Sequence, residues 1–420
     1  MNHNEPVTAA VSRFLALDSS KNTSSYLVAL SGGADSVALL HAFSQQVDAS
    51  RLKAVYIDHQ LQSISSEWAA FNRQLCQALG VDFEVISVEV ASASSLEAEA
   101  RKARYQALSS LIQNNQCLLT GHHQDDQAET LLLQLFRGAG SKGLSAMPAF
   151  TPFSHGAHAR PLLGVTKQDI QNYCQRQSLD YVDDPSNQNT QHRRNFLRHK
   201  LLPLAEAEWP EIKATLARAS QLQAATQEII DEVAQKDLEL CLSDKDELSV
   251  TGIKSLSEAR QNNVLRHWLQ LLGQEMPSQK VLQQLKQQML EAESGAHPSI
   301  EFSGGSVKRF QGDLLWVSDL KPFELSPVSW DGQTDLVVAD TLKLPSDWLK
   351  THHPELVGEK LRVQTRQGGE RLRKLNASHT TSLKNYFQES GLAPWQRQQA
   401  LLILHNDEVK AVYTEHLSHH

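Results

Sequence analysis

The chain has 420 residues, 40% of them hydrophobic and 21% charged, with a formal net charge of −8. This is the composition of an ordinary globular protein with two or three domains. Since no apolar run approaches the roughly 18 residues of a membrane span and no basic stretch leads into an apolar segment at the start, we expect no membrane anchor or secretion signal. The four cysteines are scattered without a close pair, which argues against a zinc site or disulfide framework and predicts a cytoplasmic protein.

The first half of the chain opens with a strand that turns through two glycines into a helix. After a short amphipathic helix at 7–15, residues 26–30 have the length and composition of a buried strand, and apolar residues recur at helical spacing over 37–43. Between them lies the glycine turn, formed by Ser31, Gly32, Gly33, Ala34, Asp35 and Ser36. Glycines let backbone approach an anion closely, and the N–H groups and dipole of a helix N-terminus attract negative charge. We therefore predict a phosphate cradle rather than an ordinary turn, with hydroxyl donors from Ser31 and Ser36 and a cation held by Asp35.

Strands and helices then alternate. Strands are predicted at 53–57, 83–88 and 116–120, with helices around 68–79 and 96–112. This alternation indicates a doubly wound parallel sheet, in which ligands bind at the carboxyl ends of the strands. The glycine turn, the pair Asp58 and His59, and the segment that begins at Gly121 all follow predicted strands. The sequence therefore predicts one shared site.

A second polar stretch, which we call the histidine cluster, follows the fourth strand. Its candidate functional residues are Gly121, His122, His123, Asp125, Asp126, Glu129 and Thr130. Acids in the first turn of a helix often act only as caps worth about 0.3–1 kcal/mol, but two histidines and three carboxylates exceed what capping needs. Apolar spacing predicts that the same helix buries Leu131, Leu132, Leu135 and Phe136.

These stretches carry a resemblance to a known family. The glycine turn resembles the pyrophosphate loop of the N-type ATP pyrophosphatases, and with the histidine cluster it resembles the tRNA(Ile)-lysidine synthases. Further similar pieces are the arginine-bearing helix at 96–105 and the segments 160–163, 183–187 and 193–198. Asp183 is a mild departure, because the family more often has Glu there. The likeness extends from about residue 25 to about residue 410.

The resemblance implies an α/β fold, with a doubly wound, Rossmann-like PP-loop ATPase sheet followed by a helical domain and a small α+β C-terminal domain. The implied domains are catalytic at 1–207, mainly helical at 208–320, a linker at 321–355 and tRNA-binding at 356–420. The tail suits RNA because residues 359–374 hold six Lys or Arg against two Glu, whereas 228–247 hold eight acids and two lysines.

The implied activity joins free L-lysine to C2 of the wobble cytidine in the isoleucine tRNA with a CAU anticodon. ATP and Mg²⁺ are the implied cofactors; AMP and pyrophosphate are released. No membrane partner is expected, and the oligomeric state is left open between a monomer and a homodimer.

The resemblance also implies roles for single residues. The catalytic set is Asp35, His123, Asp126 and Glu129, with Asp35 as the metal contact. The nucleotide set is Ser31, Gly32, Gly33, Ala34, Asp35, Ser36, Asp58, His59, Gly121 and His122. The tRNA and lysine set is Arg101, Arg104, Asp125, Thr130, Arg193, Arg194, Arg198, Arg366, Arg371, Arg373 and Lys374. Simpler alternatives are ion pairs of Arg101 and Arg104 with Glu97 and Glu99, and a solvated helix face at 191–200.

Other functions fit the sequence less well. A sulfurtransferase of the same superfamily needs a cysteine nucleophile or iron–sulfur ligands, and no Cys-x-x-Cys is present. An amidotransferase relative needs a glutaminase domain that nothing here matches. A metal-dependent phosphohydrolase built on Asp58-His59, His122-His123 and Asp125-Asp126 has no need of the glycine turn. An RNA-binding module with an inert catalytic half remains a further alternative.

Overall fold

A computed structural model describes residues 5–17, 23–59, 65–89, 96–184, 189–243, 247–275, 277–293, 298–319, 325–339, 342–373 and 380–414. The chain divides into two compact units, Met1–Glu232 and Val233–His420. Within the described residues, no helix combines the length and apolarity that crossing a bilayer demands.

The first unit is built on a six-stranded sheet. Its strands are β1 (Ser25–Ala29), β2 (Leu52–Asp58), β3 (Asp82–Ser87), β4 (Gln116–Leu119), β5 (Phe150–Phe153) and β6 (Gly156–Ala159). They lie in the order β3-β2-β1-β4-β6-β5, and all neighbours are parallel except β5, which runs antiparallel to β6. The predicted doubly wound α/β class is confirmed.

Helices connect and cover these strands. They are α1 (Pro6–Ala16), α2 (Ala34–Ser44), α3 (Ser65–Leu79), α4 (Leu96–Leu111), α5 (Gln124–Leu135), α6 (Ser141–Leu144), α7 (Lys167–Arg176), α8 (Arg193–Phe196) and α9 (Leu202–Glu208). A longer helix, α10 (Ile212–Cys241), begins in the first unit and ends in the second, where Leu238 and Cys241 belong to the core. A π-helical turn, Leu197–Leu201, separates α8 from α9. One face of the sheet packs on α1, α2 and α7 through residues such as Phe14, Tyr26 and Phe43, and the other packs on α4 through Leu108 and Ile112. Both faces are covered, as a parallel sheet requires.

Helix α5 does not bury the face that its apolar spacing predicts. Leu131 is buried, but Leu135 and Phe136 are 52% and 65% exposed. The buried side is polar instead and includes Asp126, Gln127 and Glu129. The prediction was wrong because ion pairs and hydrogen bonds within the unit compensate those polar groups, so burying them does not carry the usual penalty.

The second unit begins with a helical region closed by a small sheet. Helices α11 (Val250–Ser255), α12 (Glu258–Leu271) and α13 (Gln279–Leu285), followed by the π-helical turn Lys286–Leu290, pack on an antiparallel sheet in the order β7-β10-β9-β8. Its strands are β7 (Leu248–Ser249), β8 (Ser299–Phe302), β9 (Gly305–Phe310) and β10 (Asp313–Ser318). The predicted apolar stripes around Leu265 and Leu282 lie in this core.

The C-terminal part contains a second six-stranded sheet, ordered β11-β14-β17-β18-β15-β16. Its strands are β11 (Val328–Trp330), β14 (Leu361–Thr365), β15 (Arg371–Arg373), β16 (Thr380–Ser382), β17 (Leu401–His405) and β18 (Glu408–Tyr413). A hairpin of β12 (Leu336–Ala339) and β13 (Leu342–Leu344) precedes α14 (Ser346–His352), and α15 (Leu383–Glu389) and α16 (Pro394–Gln398) lie between β16 and β17.

The segment predicted as a linker, 321–355, takes part in this fold where it is described. Strand β11 pairs with β14, and Trp330, Leu344 and Leu349 share a core with Leu361 and Tyr413. The domain division drawn from the sequence stays a prediction, and these residues belong to the folded C-terminal part.

Candidate active site

The glycine turn joins β1 to α2 in the conformation that an anion cradle requires. Gly32 has a φ of +89°, which favours glycine because side chains rarely adopt it, and Gly33 is the N-cap of α2. The Ser36 hydroxyl donates to the carbonyl of Gly33 at 3.0 Å and accepts from the Ser31 N–H at 3.2 Å. These bonds hold the loop in shape while it presents N–H groups at the end of β1.

Gly121 brings the histidine cluster against this turn. A Cβ atom built on Gly121 would lie 2.8 Å from the carbonyl carbon and oxygen of Asp35 and 3.0 Å from the Ser36 nitrogen. Only a residue without a side chain allows that approach. The Nε2 atom of His123 is 3.8 Å from Asp35 Oδ1. The two predicted motifs therefore form one site.

A cavity of about 1040 Å³ lies at this meeting point. Its polar lining includes Ser31, Asp35, His59, Arg104, His123, Asp125, Glu129, Lys167, Asp184, Arg198, Glu206 and Lys213. The backbone N–H of Val182 donates to the Gly32 carbonyl at 2.9 Å, and that bond carries the Asp183-Asp184 segment to the cavity. Its size suits a nucleotide or a comparable ligand.

The two neighbouring histidines have opposite surroundings. His123 is buried, which would lower its pKa, but the carboxylates of Asp125, Asp126 and Asp35 at 3.5–3.8 Å outweigh burial and raise the pKa. For His122, burial and three nearby guanidinium groups lower the pKa to about 3. We therefore assign a charged imidazolium to His123 below its raised pKa and a neutral imidazole to His122 at pH 7.

Two arginines, Arg194 in α8 and Arg198 in the π-helical turn after it, neutralise buried acids of α5. Arg194 donates to Asp126 Oδ1 at 2.8 Å and to Glu129 Oε2 at 2.6 Å. Arg198 donates to the same carboxylates, through Nε at 2.6 Å to Glu129 Oε1 and through Nη2 at 3.1 Å to Asp126 Oδ1. Glu129 is fully buried, and removing these partners would leave a buried carboxylate without compensation.

Two lysines that the sequence did not single out also hold the acids. The Lys167 ammonium donates to Asp35 at 2.7 Å, and its backbone N–H donates to Asp125 at 3.1 Å. Lys213 bridges Asp125 at 2.8 Å and Glu206 at 3.0 Å. Burial acts to raise the pKa of Asp125, but the contact with His123 together with these bonds keeps it well below its ordinary value. No spacing rule marks residues 88 positions apart, so only packing could reveal Lys213 as a partner of Asp125.

The other predicted residues of this unit are less uniformly placed. His59 and Arg104 line the cavity, and Asp58 ends β2 beside them. Arg101 and Arg193 are exposed and do not line it. Among the described residues of α4 and its surroundings, Arg101 and Arg104 form no ion pair with a carboxylate, and both lie over the Tyr105 ring instead.

Three residues that were predicted to contact tRNA or lysine have hydrogen-bond partners within the protein. The Thr130 hydroxyl donates to the Asp126 backbone carbonyl at 2.7 Å, and Arg194 and Arg198 hold carboxylates rather than presenting free guanidinium groups.

In the second unit, Arg371 and Arg373 are exposed on β15 with Leu372 buried between them, and Arg366 is exposed beside the Phe387 ring. Lys374 lies outside the described residues.

Comparisons with known protein families match three successive parts of the chain. A family described as a PP-loop domain matches residues 6–205, a TilS substrate binding domain matches 248–315, and a TilS substrate C-terminal domain matches 361–414. A tRNA(Ile)-lysidine synthase of Coxiella burnetii is 35% identical over 93% of this chain and 89% of its own length. The chain belongs to the tRNA(Ile)-lysidine synthase family.

Other members of the lysidine synthase family are similar to the same extent. The synthase of Vibrio campbellii is 35% identical over 92% of this chain and 90% of its own length. That of Alkalilimnicola ehrlichii is 37% identical over 93% and 89%. The recognition made from the sequence is confirmed, and ATP binding follows from the PP-loop domain. A sulfurtransferase is not favoured, because all four cysteines are buried and burial raises their pKa, which keeps the thiols protonated.

Proposed function

We propose that this chain makes lysidine in the isoleucine tRNA that carries a CAU anticodon, using ATP and free L-lysine. The cytidine C2 oxygen attacks the α-phosphate, and the bond to the β-phosphate breaks to release pyrophosphate. The side-chain amine of lysine then attacks C2, and the C2–O bond breaks to release AMP. The close contact of Gly121 with Asp35 carries this proposal, because it brings the glycine turn and the histidine cluster to one cavity.

The glycine turn is suited to the first step. Negative charge grows on the pyrophosphate as it leaves, so donors that are already in place stabilise the transition state more than donors that must reorient. The N–H groups at the start of α2 are such donors. The Ser36 hydroxyl donates to the Gly33 carbonyl, so it would have to turn before it could donate to a phosphate.

Asp35 fits a magnesium contact. Mg²⁺ is bound in nucleotide enzymes through one or two carboxylates, substrate phosphates and water, and needs no cage of protein ligands. The Asp35 carboxylate lines the cavity at 30% side-chain exposure, and the Lys167 ammonium already contacts it. A bound Mg²⁺ would neutralise phosphate charge there.

The acids of the histidine cluster are suited to the second step. Lysine is cationic at neutral pH and must lose a proton before its amine can attack, so its pocket needs carboxylates that bind the ammonium and accept the proton. Asp125, Asp126 and Glu129 are our candidates. Arg194 and Arg198 pair with Asp126 and Glu129, and the lowered pKa of Asp125 and Asp126 suits them to binding the ammonium group rather than to taking its proton.

The C-terminal part supplies the remaining proposed contacts. The exposed side chains of Arg366, Arg371 and Arg373 suit tRNA phosphates, which position an RNA without reading its sequence. Cytoplasmic localisation and the choice between a monomer and a homodimer stay predictions.

Substitution of Asp35 tests the assignment. We expect Asp35→Asn to lower incorporation of labelled lysine into isoleucine tRNA at least 100-fold, because an amide cannot replace the charge of the carboxylate toward a cation. Asp48→Asn, in the same unit but away from the cavity lining, is the matched control. Thermal unfolding checks that both variants fold. Full activity of Asp35→Asn would remove the assignment, and phosphate release without lysine or tRNA would favour a phosphohydrolase.

A further inference from the structure

A chain of hydrogen bonds runs behind the histidine cluster, between the ends of β4 and β6. Arg160 Nη2 lies 3.2 Å from His158 Nδ1, and His158 Nε2 lies 2.9 Å from the Thr120 hydroxyl. The same hydroxyl lies 2.8 Å from His122 Nδ1. Arg160, His158 and Thr120 are all buried, so water does not compete for these bonds.

The guanidinium group of Arg160 determines which atom donates in each of these hydrogen bonds. A guanidinium group only donates, so His158 Nδ1 accepts from Arg160 and carries no hydrogen. A neutral imidazole has one N–H, and in His158 that hydrogen must then be on Nε2. His158 therefore donates to the Thr120 oxygen.

The hydroxyl hydrogen of Thr120 determines whether His122 Nδ1 donates or accepts in the next bond. If His122 Nδ1 also donated to Thr120, the buried hydroxyl hydrogen would have no acceptor among the described residues, at a cost of about 1–3 kcal/mol. If Thr120 instead donates to His122 Nδ1, every group in the chain is satisfied. His122 then carries its hydrogen on Nε2, for which the described residues provide no hydrogen-bond partner.

The electrostatic surroundings support neutral rings at both histidines. Burial and the guanidinium groups of Arg160, Arg101 and Arg104 lower the pKa of His158 to about 3. Arg160 and Arg104 act on His122 in the same sense, as does Arg194 from α8. The Asp126 carboxylate acts to raise the pKa of His122, but the lowering effects are larger.

We infer that Arg160, His158 and Thr120 form a directional relay that holds His122 as the neutral Nε2–H tautomer, a hydrogen-bond donor next in sequence to His123 of the cavity lining. The three relay residues are positioning residues, because they act through His122. Given the proposed function, His122 donates to a phosphate or carbonyl oxygen of the reactants, and the proton of the incoming lysine goes to a carboxylate. This assigns different tasks to the two adjacent histidines.

Nitrogen NMR of the full-length protein tests the relay directly. With ¹⁵N-labelled histidine, protonated and unprotonated ring nitrogens give well-separated signals. We expect His122, assigned by its loss in His122→Asn, to show an unprotonated Nδ1 and a protonated Nε2 at pH 7. A protonated Nδ1 in the unsubstituted protein would overturn the inference without any variant of the relay.

Two substitutions of Thr120 test its part. Thr120→Val keeps the shape but removes the hydroxyl, so we expect the His122 signals to move toward an average of the two tautomers and kcat for lysidine formation to fall about tenfold. The KM for ATP should stay within about twofold. Thr120→Ser retains the hydroxyl and should restore both the signals and kcat. If Thr120→Val and Thr120→Ser showed the same tautomer pattern at His122, the relay would be refuted. Inactivity of the unsubstituted protein would count against the proposed function alone.

Discussion

Replacing Gly121 by alanine perturbs the contact on which the site depends. The added methyl carbon would lie 2.8 Å from two backbone atoms of Asp35 and 3.0 Å from the Ser36 nitrogen. Carbon atoms in contact are normally 3.5–4.0 Å apart. Since backbone cannot rotate away as a flexible side chain can, the glycine turn and the histidine cluster must separate by about 0.7–1 Å.

This separation sets the expected magnitudes. Overpacking of a well-packed site costs about 1–3 kcal/mol, so we expect the free energy of unfolding in urea to fall by that amount. A displacement of about 1 Å between reacting groups can reduce catalysis about 100-fold. We therefore expect kcat/KM for lysine incorporation into isoleucine tRNA to fall about 100-fold, while the protein remains folded at 25 °C.

Gly164→Ala is the matched control. It lies in the same unit, and a Cβ atom there would meet nothing within 4 Å. We expect its stability and activity to stay near those of the unsubstituted protein. If Gly121→Ala kept full activity although its unfolding free energy fell, the fixed separation of the two motifs would have no catalytic importance, and our account of the site would be wrong.

Other parts of the structure give further predictions. Arg194→Gln should destabilise the protein by about 1–3 kcal/mol in urea unfolding, because it removes one of the two guanidinium partners of the buried carboxylates. The exposed neighbour variant Arg193→Gln should change stability by less than about 0.5 kcal/mol. Because the pKa of His158 in the folded protein is about 3, below its ordinary 6.5, the unfolded chain binds the extra proton, so stability should be complete above pH 6.5 and fall toward pH 3. His158→Leu should flatten that dependence between pH 7 and 5, and an unchanged slope would contradict it. Changing Arg371 and Arg373 together to Gln should reduce the salt dependence of tRNA binding, log Kd against log salt, by about 1.5, and an equal slope would show that β15 does not contact phosphate.

The sequence predicted the local elements of the catalytic unit well. Four strands, the glycine turn and the start of α5 were placed by apolar runs, helical spacing and glycine positions, all of which act over a few residues. The common location of the two motifs also followed, since parallel strands bring their carboxyl ends to one edge. The prediction failed at Leu135 and Phe136 because periodicity does not report where charged groups find buried partners.

The sequence by itself thus determined the α/β class, the glycine turn and the family, because these depend on short patterns and on residues that stand close together along the chain. Only the tertiary structure decided which charges neutralise one another. The ion pair between Arg198 and Glu129 joins positions 69 residues apart, and the bond between His158 and Thr120 joins positions 38 apart. Contacts of this kind arise when separate strands and helices pack, so the charge states of the acids and histidines in the site are a property of the assembled sheet.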